Sequence, residues 1–257
     1  METIATALRR RRGLDLDQYQ RTYARRRVLA RARALGLADL DAYAEFFTTH
    51  PREAGELIRS LSIQVTHFFR NPSFFQYLDR RILPQLLGGA SGPGVEIWSA
   101  GCATGEEAYS IAMLLAARRA APPARVLGTD LDPSAIAAAR RGLYPASAAR
   151  YVPRGPGRFL AAAGPGQIRV DDRAAAAVRF RVADLFGMPR RPLFDLVLCR
   201  NVLIYFEPAL QAGMLDRLVA TLRPGGFLAL GRAEGVAGAA ARRLGVVSAA
   251  ECVYRIR

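Results

Sequence analysis

The chain contains no lysine. All 37 of its basic residues are arginine, set against 22 acidic residues, for a formal net charge of +15. Alanine, glycine and proline are abundant, so the all-arginine usage points to a coding bias as readily as to a surface selected for phosphate binding. No recognisable RNA-binding motif accompanies the charge. Cysteine is scarce: Cys102, Cys199 and Cys252 are widely separated and form no CxxC or Cys/His ligand pattern, which excludes a disulfide framework and a zinc site. No metal ligand set is expected. The two histidines, His50 and His67, lie far apart with no partner at motif spacing, and each reads as structural. No uninterrupted apolar run reaches the roughly 18 residues a membrane-crossing helix needs. The first residues, METIATALRRRRGLDLDQ, lack the long apolar core and cleavage site of a secretory signal. A cytoplasmic protein with no membrane insertion is the expectation.

Half of the sequence is nevertheless apolar, and 257 residues suffice for one large domain or one domain with a small companion. Residues 1–87 read as helical. Leu16, Tyr19 and Tyr23 recur at helical spacing, Leu35-Gly36 marks a stop, Asp39–Phe47 suggests a short helix and Glu53–Leu61 another. Pro72 sits where a first-turn proline is tolerated, with Phe74, Phe75, Leu78, Ile82 and Leu83 as the apolar face behind it. Residues 88–94, GGASGPG, form the clearest linker, and a domain boundary is expected there. From Val95 the texture changes to short apolar strands alternating with helices: VEIWSA, GEEAYSIAMLLAARRA, RVLGTDL, PSAIAAARRGLY, FDLVLCR, PALQAGMLDRLVATL and PGGFLAL. That alternation predicts right-handed βαβ units in a parallel, doubly wound α/β sheet. Residues 146–180, rich in glycine, proline and alanine with QIRV and VRFRV as strand candidates, read as an insertion.

In such a sheet, ligands bind at the carboxyl ends of strands, where a glycine turn admits the ligand and a helix N-terminus follows. Strand Val95–Ala100, turn Gly101–Gly105 and helix Glu106–Ala120 fit that description. The turn reads G-x-x-x-G rather than the dinucleotide G-x-G-x-x-G, which disfavours a nicotinamide oxidoreductase. Glu106 and Glu107 open the helix, where a pyrophosphate would need positive potential. They suit a ligand carrying an ammonium and a sulfonium, as S-adenosylmethionine does, although carboxylates there also complement a helix dipole. Asp130 ends the next strand, placed to accept from both ribose hydroxyls of an adenosine, while Asp132 before Pro133 reads as an N-cap. Asp184 holds the corresponding position one strand later, as an adenine contact or as a turn aspartate. Trp98 is expected to pack within its strand.

Five stretches, VTHFFRNPSFF at 65–75, EIWSAGCATGEEAYSIAMLL at 96–115, GTDLDPSAIAAARRGLY at 128–144, FDLVLCRNVLIYFEP at 194–208 and PGGFLALGRAEG at 224–235, occur in that order. In them the sequence resembles the CheR-type chemotaxis receptor methyltransferases over nearly its whole length. The resemblance implies a class I methyltransferase, Rossmann-like, with a small helical N-terminal domain (1–87), a methyltransferase domain (95–257) and a small β-subdomain inserted at about 146–180. It implies methyl transfer from S-adenosylmethionine to glutamate side chains of receptor signalling helices, giving glutamyl methyl esters and S-adenosylhomocysteine. It assigns Gln64, Thr66, Arg70, Gly101, Glu107, Asp130, the pair Asp184-Leu185 and the pair Asn201-Val202 to the cofactor, and places Arg70 and Tyr205 near the transferred methyl. The family usually has asparagine at the positions of Gln64 and Asp184, and both departures keep a hydrogen-bonding side chain.

The Phe68-Phe69-Arg70 segment is expected to give apolar walls and one orienting cation. A further expectation concerns the ten arginines of residues 1–33, which face only Glu2, Asp15 and Asp17. In the resembling family a positive N-terminal helix meets the acidic methylation region of the receptor, a role open to Arg21, Arg25, Arg26, Arg27, Arg31 and Arg33. At 100° per residue these arginines spread around the helix rather than forming one stripe, so the alternative is that they are solvated or cover apolar surface with their stems. The expected partner is the cytoplasmic domain of methyl-accepting chemoreceptors, met by a monomer, with no nucleic acid. The rivals are a methyltransferase acting on another substrate such as RNA, and a non-catalytic receptor-binding module.

Overall fold

The computed structural model describes residues 1–61, 66–89, 94–119, 123–188, 191 and 193–257. The chain divides into two units, one of Met1–Ile63 with Leu203–Gln211, the other of Gln64–Val202 with Ala212–Arg257.

The first unit is helical: α1 (Glu2–Arg12), α2 (Arg21–Ala34), α3 (Leu40–Thr49) and α4 (Glu53–Leu61). Gly13, at φ 68°, closes α1, and the Asp15 side chain accepts from the Asp17 N–H in a short 3-10 turn over Leu16–Gln18. Leu16 and Tyr19 therefore precede the helix that carries Tyr23 rather than sharing it, a correction to the spacing argument. α2 stops as expected before Gly36, which has φ 71°. Asp39 caps α3 by accepting from the N–H groups of Asp41 and Ala42. Inside this unit the Glu53 carboxylate is nearly fully buried and accepts a bidentate pair from Arg31 (2.8 and 2.9 Å) and a third bond from the Tyr43 hydroxyl (2.9 Å). Burial and the adjacent carboxylate push the Tyr43 hydroxyl pKa well up. Arg31 is thus held in an internal ion pair and is only partly exposed. The Leu203–Gln211 segment is stitched to α2: Gln20 N–H donates to the Tyr205 carbonyl (2.9 Å), and Glu207 Oε1 accepts from Arg21 N–H (2.9 Å), supplying the N-terminal cap that Gln20 does not.

The second unit begins with α5 (Pro72–Tyr77), a π turn over Leu78–Ile82, and α6 (Leu83–Gly89). There follow β1 (Val95–Ala100), α7 (Glu106–Ala117), β2 (Ala124–Asp130), α8 (Pro133–Arg141) and β3 (Leu143–Pro145). Next come the short α9 (Arg154–Gly157), β4 (Leu160–Ala162), β5 (Gln167–Val170), α10 (Asp172–Ala175), β6 (Val178–Val182) and β7 (Phe194–Cys199). Then come α11 (Pro208–Ala220), whose first residues belong to the helical unit, β8 (Leu222–Leu230), α12 (Gly238–Arg243), β9 (Leu244–Ser248) and β10 (Val253–Ile256). The seven-stranded sheet has the order β6-β2-β1-β7-β8-β10-β9. Its first five strands pair in parallel, and β10 is antiparallel to both β8 and β9, so the sheet is not wholly parallel as the alternation had suggested.

Two expected boundaries move. Phe74, Phe75, Leu78, Ile82 and Leu83 share one core with Val95 and Ile97 of β1 and Ala108, Ile111, Met113 and Leu115 of α7. Burying that apolar face places α5 and α6 with the sheet, and the division lies at 63/64 rather than at 88–94. Of that stretch, residues 90–93 lie outside the described residues. The inserted strands form a separate antiparallel sheet, β3-β5-β4, which starts at Leu143. VRFRV is not part of it: as β6 it pairs with β2 from Val126↔Val178 to Asp130↔Val182. Among the described residues no helix is long and apolar enough to cross a membrane.

Candidate active site

Strand order reverses at β1, which pairs with β2 on one side and with β7 on the other, and this is where an open α/β sheet leaves a crevice outside its carboxyl ends. Four strands end there: β1 runs into the glycine turn at Gly101, β2 ends at Asp130, β6 is followed two residues on by Asp184, and β7 is followed by Arg200-Asn201-Val202.

The β1 turn is held by N–H donation from Gly101 (2.8 Å) and Cys102 (2.9 Å) to the Thr129 carbonyl. Gly101 has φ 73°, and a Cβ there would come within 2.5 Å of Val202 Cγ2, so only glycine permits the β1 and β7 turns to approach this closely. Asp130 Oδ2 accepts from Ala103 N–H (2.9 Å) and Oδ1 from Asp132 N–H (3.0 Å), which fixes the carboxylate plane and leaves lone pairs on both oxygens. Burial pushes its pKa up, against the pull of those backbone donors. Asp132 caps α8 by accepting from the Ser134 N–H (2.8 Å), as expected. Asp184 Oδ1 accepts from Phe186 N–H (3.0 Å), the turn role open to it in the sequence, with Leu185 beginning that turn.

The two glutamates at the start of α7 part company. Glu106 is buried, accepts from the Thr104 hydroxyl (2.7 Å), and is pushed up in pKa by desolvation. Glu107 keeps 16 % of its side chain exposed; Oε1 accepts from Ser99 Oγ (2.8 Å) and Oε2 from Arg200 Nη1 (3.0 Å). Only one carboxylate of the pair is thus available at the strand ends, and it is already matched to a cation. Arg200 Nη2 donates to Asn71 Oδ1 (2.9 Å) and to the Arg70 carbonyl (3.2 Å).

Asn201 and Val202 are set by a residue far along the chain. Glu234 Oε2 accepts from the N–H groups of Asn201 (2.9 Å) and Gly231 (2.6 Å), and Oε1 from that of Val202 (2.7 Å). Asn201 is at φ 60°, and Phe69, Asn71 and Ala103 are also left-handed at 55°, 62° and 47°. Such backbone persists where surrounding contacts over-determine it, and these positions flank the strand ends described above. Phe68 and Phe69 are fully buried, against Tyr144 (4.9 Å, edge-on) and Phe75 (5.1 Å). They anchor the segment that carries Arg70 rather than walling an open site, a correction to the expected role. Thr66 and Arg70 are half-buried, and Gln64 lies outside the described residues. Tyr205 belongs to the helical unit, its ring 4.9 Å from that of Tyr23.

Residues 64–252 match the CheR methyltransferase SAM binding domain, and residues 1–62 the CheR methyltransferase all-alpha domain. The chain belongs to the CheR methyltransferase family. It is similar to a probable chemotaxis protein methyltransferase of Rhizobium etli, 33 % identical over 89 % of this chain and 89 % of that one. It is likewise 33 % identical to the chemotaxis protein methyltransferase of Escherichia coli K12, over 90 % of this chain and 82 % of that protein. An uncharacterized 104.1 kDa protein of Rhodobacter capsulatus is 36 % identical over 84 % of the chain, which spans only 23 % of that protein's length. S-adenosylmethionine is the cofactor of the CheR fold, and the glycine cradle at Gly101, the fixed Asp130 carboxylate and the clamped Asn201-Val202 turn fit it.

The sequence reading missed Arg200, Glu234, Ser99 and Asn71. Arg200 had a visible signal: a charged residue directly after the apolar strand FDLVLC must sit at the sheet's carboxyl edge. Glu234 had none for the turn it holds, since Asn201 and Val202 lie more than 30 residues away in sequence. Trp98 packs as expected, its ring on Phe194 (5.4 Å) and its N–H on Thr129 Oγ1 (2.9 Å). His67 lies against Tyr151 (4.9 Å), with its pKa lowered first by burial and then by Arg150 and Arg70. His50 stacks on Phe46 at the end of α3. Among the described residues no cluster fit to hold a metal occurs.

Proposed function

We propose that the protein transfers the methyl group of S-adenosylmethionine to glutamate side chains on the cytoplasmic domain of chemoreceptors, as a chemotaxis methyltransferase. The relatives' names support the chemotaxis role. The observation that carries the chemistry is the set of groups at the strand ends: among the described residues Asp130 and Asp184 are oriented by backbone N–H groups and Glu107 pairs with Arg200, an arrangement for holding a ligand rather than for moving a proton. A glutamate acceptor needs no base, because with an ordinary pKa of about 4.3 it is already a nucleophilic carboxylate at neutral pH.

The cofactor supplies an electrophilic methyl on a positively charged sulfur. Asp130 is oriented to receive the ribose hydroxyls, Asn201-Val202 and Asp184-Leu185 to flank the adenine, and Glu107 to meet the ammonium of the amino-acid end. Thr66, Gly101 and Gln64 complete the cofactor set, and Arg70 and Tyr205 act nearest the acceptor. Opposite charges neutralise as the carboxylate attacks, so exclusion of water and alignment supply most of the acceleration.

Incubation with methyl-labelled cofactor and a receptor cytoplasmic fragment should give alkali-labile label on glutamates, and total RNA should stay unlabelled. Label on RNA alone, or on neither, would overturn the proposal. Arg70→Ala should lower receptor methylation and cofactor affinity by about 10-fold or more, the range of a lost charge-assisted contact.

A further inference from the structure

We infer that Arg200 is a positioning residue, whose single guanidinium fixes the Glu107 carboxylate and the Arg70–Asn71 backbone in one geometry. The inference rests on the reading that Glu107 meets the amino-acid end of the cofactor.

The Arg200 side chain is only 4 % exposed, and its Cζ lies 4.1 Å from the Phe74 ring centroid and 5.7 Å from that of Phe75. The rings attract the guanidinium through their π faces, but taking the charge out of water is costly, and a buried ion pair is seldom better for stability than a well-packed apolar pair. Among the described residues Arg200 Nε–H has no hydrogen-bond partner. What the orientation does achieve is the fork. Nη1 reaches Glu107 Oε2 at 3.0 Å, while Nη2 reaches Asn71 Oδ1 at 2.9 Å and the Arg70 carbonyl at 3.2 Å. A planar guanidinium can hold both directions at once, whereas an ammonium is a point charge without that fixed angle. Ser99 secures the other Glu107 oxygen, so the plane of the carboxylate is determined from two sides. At the far side of the fork, Asn71 and Phe69 sit at φ 62° and 55°, backbone that holds its shape only where side chains brace it. Arg200 therefore couples the start of α7 to the segment carrying Arg70, through a residue that follows the end of β7.

Calorimetric titration with S-adenosylhomocysteine and with 5′-methylthioadenosine, which lacks the amino-acid end, separates positioning from general disruption. Arg200→Met should weaken S-adenosylhomocysteine by about 10- to 100-fold and methylthioadenosine by less than about 3-fold, as expected when a buried charged partner is left unpaired. In the Glu107→Gln background the same substitution should add little further loss, because the two side chains act as a unit. Equal weakening of both ligands, or of neither, would overturn the inference. Should Arg200→Met fail to fold, Arg200→Lys decides: a selective loss of S-adenosylhomocysteine affinity of about 5-fold is expected from the lost fork, and unchanged affinity overturns it. If Glu107→Gln itself leaves S-adenosylhomocysteine affinity unchanged, the reading of Glu107 falls and the inference with it; if Glu107→Gln weakens binding but Arg200→Met does not, only the inference falls.

Discussion

Three backbone N–H groups converge on the Glu234 carboxylate and hold the Asn201-Val202 turn in place beside the end of β7. Both oxygens are acceptors in use, so an amide in their place necessarily turns an N–H₂ donor against a backbone donor. Glu234→Gln should cost about 1–3 kcal/mol, the penalty for a buried donor left without its acceptor. Each kcal/mol corresponds to about 2–4 °C in Tm for a chain of this size. Thermal melts and S-adenosylhomocysteine titration check it together, and the affinity should fall as well, because the turn relaxes. An unchanged Tm with unchanged affinity would show that the turn holds itself. Gly231 explains why the clamp is so tight: a Cβ there would stand 2.7 Å from Glu234 Oε2 and 2.8 Å from Asn201 N. A long-range carboxylate of this kind could not be seen in the sequence, where Glu234 was one letter in GRAEG. Asp132, whose cap is local, was legible from the proline beside it.

At the scale of elements, legibility tracked how local the cause was. α4 and the strand–turn–helix of β1 and α7 follow from periodicity and glycine placement within a dozen residues, and the structure has them where expected except that α7 ends at Ala117, short of the expected Ala120, which lies outside the described residues. β6 was ambiguous because VRFRV alternates like any exposed strand, and its membership in the large sheet depends on pairing with β2, some 50 residues earlier. The opening of α7 shows the limit within a single turn: by charge and spacing the adjacent glutamates are equivalent and only the family resemblance singles out Glu107, whereas in the structure one is buried and one faces Arg200. That difference predicts a pH dependence. The Glu106 pKa is raised by desolvation above its ordinary 4.5, so its ionised form is less favourable folded than unfolded. The folded state then binds more protons than the unfolded one between those values, and stability falls as pH rises through that window. Well below pH 4.5 both states are protonated and the penalty is absent. Glu106→Gln should accordingly raise Tm at pH 8, by about 2–4 °C for each kcal/mol recovered, and make little difference at pH 4. A variant less stable at pH 8 would mean that the Thr104 bond and the helix start outweigh the burial cost.

Over the whole molecule, the charge of +15 was the most conspicuous sequence feature and the least specific. The structure sorts it. On α2, Arg31 is consumed by Glu53, and Arg27 is half-buried over the Tyr23 ring at 5.3 Å. Arg26 and Arg33 are exposed and seven residues apart, two turns along one helix face, and are the pair we propose as a test of receptor docking. Exposed charges at such a surface act mainly on encounter rate, and their effect is screened over about 8–10 Å at physiological salt. Arg26→Glu with Arg33→Glu should therefore slow methylation of a receptor fragment by about 3- to 10-fold at low ionic strength. The gap from the parent protein should close as salt is added, and S-adenosylhomocysteine affinity should not change. Stopped-time methylation assays at several salt concentrations, paired with calorimetry, read both quantities. If the parent and the variant show the same rate and the same salt slope, α2 is a solvated face and the receptor is met elsewhere; if cofactor affinity falls too, the helical unit has been disrupted rather than its docking surface.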